Sequence, residues 1–261
     1  MSAPLGAHHA DVKQLRALLR YRDARDRADR FVCEGPRVIT AALDAHAALE
    51  EVFVGADASA AAKAAADRAA GCGVRVRQLA EHVAARVSDT TTAQGVFAVA
   101  SRRRAGLDAL TRATLAVVAP HLADPGNAGT LIRSCAAAGA EAVHLGPGSV
   151  DAYNPKTVRA SAGACFAVEI VEGVPAVEAL EALGSAGVQR VAALTAGGSA
   201  PEALDLRRPT AFVLGHEVRG VDSELPFDAR VTIPMRGAES LNVAMAGTLL
   251  LFEAARQRRS A

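Results

Sequence analysis

The sequence has no tryptophan, two tyrosines and 3% aromatic residues overall in 261 positions. A recognition surface made of many stacked rings is therefore not expected. Lysine is almost missing as well. Lys13, Lys63 and Lys156 are the only three among 29 basic residues, so arginine supplies the other 26. In a chain this rich in alanine, that excess reads first as compositional bias. It bears on phosphate binding only where arginines cluster. The four cysteines, Cys33, Cys72, Cys135 and Cys165, show no metal-ligand spacing and no CxxC pair. They read as reduced, mostly buried thiols, and a Cys–His nucleophile stays open on sequence grounds. No apolar run reaches the ~18 residues of a membrane span, and the N-terminus has no signal-peptide pattern. The expectation is a soluble, cytoplasmic protein with no membrane segment. GxxxxGK[ST], a strand-linked GxGxxG and HExxH are all absent. Their absence argues against a P-loop, a dinucleotide fold and a catalytic metal; no metal is expected.

What is present is an ordinary globular composition, 51% hydrophobic and 22% charged, with a net charge of +1. The length suggests two domains. Residues 11–30 read as one helix, with Val12, Leu15, Leu18 and Leu19 at helical spacing. Short strands and helices then alternate as far as Ala100, which suits a small α/β module. The basic stretch Ser101–Gly106 marks the boundary. It divides the chain into an N-terminal domain, residues 1–104, and a second domain, residues 105–261.

In the second domain, Leu115–Ala119 is a continuous apolar run, as expected of a strand covered on both faces. Strands alternating with helices imply a mostly parallel sheet, and ligands of such sheets sit beyond the carboxyl ends of strands. Three loop segments stand out. Asp124–Gly129 reads as a tight turn opening a helix over residues 130–138, with Arg133 in an otherwise apolar stretch. A guanidinium there is expected to be paired or to face a cleft. Leu214-Gly215-His216-Glu217-Val218-Arg219-Gly220 sets two glycines around a carboxylate at a strand end, allowing close backbone approach. In the third segment, Ser240 and Asn242 are good caps for a final helix over 241–258, and they place N–H groups at its open end.

Each segment alone is explained by turn and cap chemistry. Together and in this order, DPGNAGTLIR, LGHEVRG and IPM…SLNVAMA resemble the three signature motifs of the SpoU (TrmH-like) RNA 2′-O-ribose methyltransferases of the SPOUT superfamily. The resemblance covers about Thr111 to Arg258. EGPRV and SDTTTAQGVFAV resemble landmarks of the small RNA substrate-binding module, ribosomal-protein-like in fold, that many members carry. One departure is Asp124, where many members have Asn.

The resemblance implies a SPOUT-type α/β fold with a C-terminal trefoil knot, a homodimer formed through the C-terminal domain, and S-adenosylmethionine as cofactor. It implies methyl transfer to a ribose 2′-hydroxyl, in rRNA by preference and in tRNA as the other option. By resemblance, the cofactor contacts are Leu194, Thr195, Ala196, Gly197, Leu214, Gly215, Gly220, Ile233, Met235 and Leu241. Arg133 would bind the phosphate next to the acceptor and assist deprotonation, and Asn127 would orient it. Glu217, Ser240 and Asn242 would hold hydrogen bonds around cofactor and acceptor. Residues 11–40 carry eight basic and five acidic side chains. Arg22, Arg25, Arg30 and Arg37, with Arg102 and Arg103 at the boundary and Arg256, Arg258 and Arg259 at the end, are therefore the expected phosphate contacts. The alternatives are a non-catalytic RNA-binding protein that keeps the fold, and a dinucleotide-dependent oxidoreductase, suggested only by the βα alternation.

Overall fold

The computed structural model describes residues 3–88, 93–216 and 219–259. The chain forms two compact units, Met1–Arg102 with Tyr153–Phe166, and Arg103–Ala152 with Ala167–Ala261. The division falls close to the basic stretch at 101–106. The segment 153–166, which sequence order assigns to the second domain, belongs to the first unit.

The first unit contains α1 (Ala10–Arg20), α2 (Arg22–Ala28), β1 (Arg30–Glu34), α3 (Pro36–Asp44), β2 (Leu49–Gly55), α4 (Ala60–Gly71), β3 (Arg75–Leu79), α5 (Val83–Val87) and β4 (Val96–Ser101). Its sheet runs β1-β4-β2-β3, with β4 antiparallel to β1 and β2, and β3 parallel to β2. Leu15 and Leu18 of α1 pack in the same core as Phe53, Leu79 and Phe97. The single helix expected over 11–30 is broken at Tyr21, which is extended (φ −117°, ψ 125°). The cause is Arg25, which turns inward and donates to the Leu18 carbonyl at 2.7 Å. That satisfies one of the carbonyls a helix C-terminus leaves open. Phe31 packs against Tyr153 (centroids 4.6 Å apart) and Phe166 (5.7 Å), which explains why 153–166 joins this unit. This segment includes α8 (Pro155–Ala160), whose Arg159 donates at 3.2 Å to the Glu34 carboxylate, which is almost fully buried.

The second unit contains α6 (Leu107–Arg112), β5 (Leu115–Ala119), α7 (Pro125–Ala138), β6 (Ala142–Leu145), β7 (Glu169–Glu172), α9 (Ala176–Ser185), β8 (Gln189–Ala193), β9 (Thr210–Val213), β10 (Ala229–Val231) and α10 (Val243–Arg259). The sheet order is β10-β8-β9-β5-β6-β7, and every pairing is parallel. All five residues of β5 are buried, as its unbroken apolar run requires. The short edge strand β10 is clamped by Asp228, whose carboxylate takes the Arg190 guanidinium at 2.6 and 2.9 Å and the Arg190 amide at 2.8 Å.

Helix α7 starts at Pro125, not at residue 130. Asp124 is its N-cap, accepting from the Asn127 amide at 2.7 Å, and Pro125 occupies the first turn, where a missing N–H costs nothing. The residues that read as a turn are therefore the first turns of the helix. Helix α10 packs on α7, with Ser134 and Thr248 hydroxyls 2.6 Å apart. Among the described residues, no helix is long and apolar enough to cross a membrane.

Candidate active site

Beyond the carboxyl ends of β8, β9 and β10, three loops enclose a pocket of about 790 Å³. Its size is that of a site for a drug-sized or cofactor-sized molecule. Each loop is pinned by backbone bonds. In the first, the Leu194 amide donates to the Val231 carbonyl (2.8 Å), Gly198 donates to the Thr232 hydroxyl (2.9 Å), and Ser199 and Thr232 also pair. In the second, His216 and Gly220 exchange two bonds of 2.9 Å and close a narrow hairpin. A Cβ on Gly215 would lie 2.4 Å from the Gly220 carbonyl carbon, so only glycine allows this approach. The third ends at Asn242, whose Oδ1 accepts from the amides of Ala244 (3.0 Å) and Met245 (3.2 Å) and so caps α10.

The Asn242 Nδ2 also donates to Asn127 Oδ1 at 2.9 Å. This bond, between residues 115 positions apart, joins the N-terminal ends of α7 and α10. Both ends carry the positive pole of a helix dipole, so an anionic or electron-rich ligand group is favoured there. His121, in the loop before α7, stacks on His216 with ring centroids 4.9 Å apart and planes 21° from parallel. That contact ties the segment after β5 to the hairpin after β9.

Of the expected cofactor contacts, Leu194, Thr195, Leu214, Gly215, Gly220, Ile233, Met235 and Leu241 line the pocket. Ala196 and Gly197 do not, because the loop is folded back onto β10 by the bonds of Gly198 and Ser199. Ser240 and Asn242 line it, whereas Glu217 lies outside the described residues. His216, Arg219, Glu239, Val243 and Ala246 line it without having been singled out. The signal was available for the last two, since Val243 and Ala246 open α10, immediately after the capping asparagine. Asn127 is not itself in the pocket wall but is bonded to Asn242, which is. Arg133 is on the exposed side of α7, while Leu131, Ile132 and Cys135 point inward. It is not in the pocket wall and has no hydrogen-bond or ionic partner among the described residues. Among the described residues, the helix face that Arg133 occupies is open to solvent.

The cysteine question resolves by burial. The Cys135 thiol is pushed up to about 12 and that of Cys165 to about 11, and burial also raises Cys33. These thiols are poor nucleophiles, and Cys72 is exposed on the first unit, at the end of α4.

Several arginines assigned to phosphate are used internally. Arg25 is 2% exposed and holds the α1 carbonyls. Arg102 is sunk against Asp26 and over the Tyr153 ring at 4.9 Å. Arg258 binds the carbonyls of Thr114, Arg208 and Leu206 at 2.8–3.0 Å. In each case an arginine near a chain reversal satisfies backbone oxygens or a neighbouring carboxylate instead of facing solvent. Arg30 pairs with Glu50 and Arg103 with Glu169, both part-exposed; Arg22 lies 3.6 Å from Asp26, and Arg37 is exposed.

The sequence model of the SpoU rRNA Methylase family matches residues 114–252, and that of the MRM3-like substrate binding domain matches residues 9–98. The chain is 30% identical over 232 residues to the 23S rRNA (guanosine(2553)-2′-O)-methyltransferase RlmP of Bacillus subtilis, covering 87% of this chain and 89% of that one. Its structure resembles the SpoU methyltransferase AviRb of Streptomyces viridochromogenes, solved in complex with the cofactor AdoMet, with a TM-score of 0.83, 29% identity and coverage of 97% and 100%. It also resembles an AdoMet-bound rRNA methyltransferase from Sinorhizobium meliloti, with a TM-score of 0.85, 29% identity and 97% coverage of both chains.

Proposed function

The chain belongs to the SpoU rRNA Methylase family, and from that premise we propose that it methylates a ribose 2′-hydroxyl of ribosomal RNA. The methyl donor is S-adenosylmethionine, which when bound supplies a methyl group on a sulfonium, an excellent leaving arrangement that needs no metal. The observation that carries the reading is the pocket built by the loops 194–199, 214–220 and 233–242 beside the joined ends of α7 and α10. The chemistry of its lining fits the donor. Leu194, Leu214, Ile233, Met235 and Leu241 offer apolar walls for a planar base, and the close approach at Gly215 exposes backbone groups to it. Arg219, Glu239 and Ser240 supply polar contacts for a charged amino-acid tail.

A ribose hydroxyl attacks poorly until its proton leaves. The chain's contribution is alignment of oxygen, methyl and sulfur, and a route for that proton. Arg133, exposed on α7, is proposed to take the phosphate beside the acceptor and to assist deprotonation. Asn127 and Asn242, bonded to each other, fix the helix ends around the acceptor. Glu217 is proposed to hold the hairpin in its binding shape. Ribosomal RNA is preferred over tRNA because the first unit matches a substrate-binding domain and relatives that align over both units include ones named for rRNA. We propose further that the protein is a homodimer through its second unit, that its C-terminal segment is threaded as a trefoil knot, and that it works in the cytoplasm, where its free thiols stay reduced. The pinning of the 194–199 loop onto residues 230–232 and the return of α10 onto α7 support the knot.

The test is transfer of radiolabelled methyl from S-adenosylmethionine to unmodified 23S rRNA, 16S rRNA and tRNA transcripts, followed by primer-extension mapping. One rRNA ribose is expected to be modified, and Arg133→Ala should lower the rate at least about 100-fold, near the effect of losing a general acid–base contribution, with RNA still bound. Binding of both ligands without transfer would instead identify a non-catalytic RNA-binding protein, and wild-type rates in Arg133→Ala would remove that residue from the chemistry.

A further inference from the structure

Among the described residues of the first unit, Tyr21 is the one large hydrophobic side chain left in the open, at 61% exposure. The unit's other aromatic rings are buried: Phe31, Phe53, Phe97, Tyr153 and Phe166 are each 5% exposed or less. Neither its ring nor its hydroxyl has a partner among the described residues. A single exposed ring is by itself unremarkable. Its setting gives it content. Tyr21 is the extended corner between α1 and α2, and its neighbours Arg20 and Arg22 are both exposed.

The corner is held rigidly from within. The Tyr21 amide donates to the Ala17 carbonyl at 2.9 Å, and the buried Arg25 guanidinium grips the Leu18 carbonyl at 2.7 Å. Two carboxylates lie on the same helix: Asp23 is exposed beside Arg22, and Asp26, one turn from Arg22, is engaged by Arg102, an ion pair that holds its carboxyl below the usual range against the opposing effect of burial. Arg22 approaches Asp26 only to 3.6 Å, so its charge remains largely available to solvent. The result is an exposed aromatic ring on a fixed backbone corner, with an exposed arginine on each side of it in sequence.

Resting on the RNA reading above, we propose that Tyr21 is a stacking platform for one unpaired base of the RNA substrate, with Arg20 and Arg22 on the phosphates either side of it. Every base has a π-face, so such a platform selects for an unstacked nucleotide more than for a sequence. A ring on a fixed backbone also loses little conformational freedom on binding, since a tyrosine has only two side-chain torsions. The corner therefore distinguishes a loop or bulge from a continuous duplex, whose bases are already stacked.

The absence of tryptophan makes the test clean, because Tyr21→Trp introduces the sole indole. Retention of in vitro transcribed 23S rRNA by the full-length wild-type chain is measured first; no retention would reject RNA binding itself and this platform with it. Given retention, Tyr21→Ala should weaken binding roughly 5- to 100-fold, while Tyr21→Phe stays within about twofold. The salt dependence of Tyr21→Ala should keep the wild-type slope, whereas Arg20→Ala with Arg22→Ala should flatten it by about two phosphate contacts. A collapsed corner would change the slope in Tyr21→Ala as well. Emission of Tyr21→Trp should be quenched by a short oligouridylate and unchanged by a blunt RNA duplex. Wild-type affinity in Tyr21→Ala, an altered slope in that variant, or equal quenching by strand and duplex overturns the proposal.

Discussion

His144 shows how one side chain can set the acid tolerance of the second unit. It sits on β6 with no exposed surface, and its Nε2 is 2.8 Å from the Val174 carbonyl. A carbonyl only accepts, so Nε2 carries the proton and Nδ1 is the bare nitrogen. Nδ1 is buried without a hydrogen-bond partner among the described residues. Protonating it would place both a charge and an unmatched N–H in the core. Burial accordingly lowers the pKa below the ordinary 6.5, although the bond to Val174 opposes the shift. Because the unfolded chain then takes up the proton more readily, stability is full above about pH 6.5 and falls as pH drops toward the folded-state value. Thermal unfolding should show Tm falling as pH drops below about 6.5. In His144→Leu the Tm at pH 7.5 should be lower, since the Val174 carbonyl loses its donor, but that acid-induced decline should be shallower. An equal decline in both proteins would assign the acid sensitivity elsewhere.

Loops and helix ends build the pocket, and they tolerate little added volume. Replacing Gly215 by alanine would put a methyl 2.4 Å from the Gly220 carbonyl carbon and 2.6 Å from the Val221 amide nitrogen. Both are backbone atoms, so the His216–Gly220 hairpin must open to admit it. Overpacking of this kind costs about 1–3 kcal/mol, and here the distortion falls directly on the pocket wall. Gly215→Ala should therefore weaken S-adenosylmethionine binding by about tenfold or more in calorimetry, ~1.4 kcal/mol, with a smaller effect on overall Tm. Unaltered affinity would mean that the hairpin does not shape the cofactor site. The role of this glycine was legible in the sequence as a permissive residue at a strand end. The start of α7 was not, because Asp-Pro-Gly-Asn carries the same residues as a turn. Asp124 and Pro125 serve equally as cap and first helical residue, and only the packing of α7 on α10 decides between the two. The fate of Arg25 was hidden for a similar reason. Arginines on a polar helix pattern read as surface, and nothing local reveals that one of them closes the end of α1.

The six-stranded parallel sheet was visible in outline from the strand–helix alternation, and the pocket from three motifs whose convergence only the fold can supply. Assembly is the level at which the monomer looks incomplete. Met245, Leu249 and Phe252 are 57%, 50% and 44% exposed, and their spacing places them on one face of α10. The opposite face, with Ala244, Gly247, Leu250, Leu251 and Ala254, is buried. A contiguous apolar face of this kind marks a protein interface, and the proposed homodimer would cover it. Leu241, two residues before α10, is also 39% exposed and lines the pocket. A second copy seated on α10 would thus close around the pocket's rim, and dimerisation and cofactor affinity would be linked by mass action. Light scattering is expected to give the mass of a dimer for the wild type. Leu249→Glu with Phe252→Glu should give a folded monomer, since each glutamate would have to be buried unpaired. That monomer should bind S-adenosylmethionine at least about tenfold more weakly, and the wild-type affinity should itself decline on dilution through the dimer dissociation range. A wild type that is monomeric at all concentrations would exclude the dimer, and a monomeric variant with undiminished affinity would uncouple the α10 face from the site.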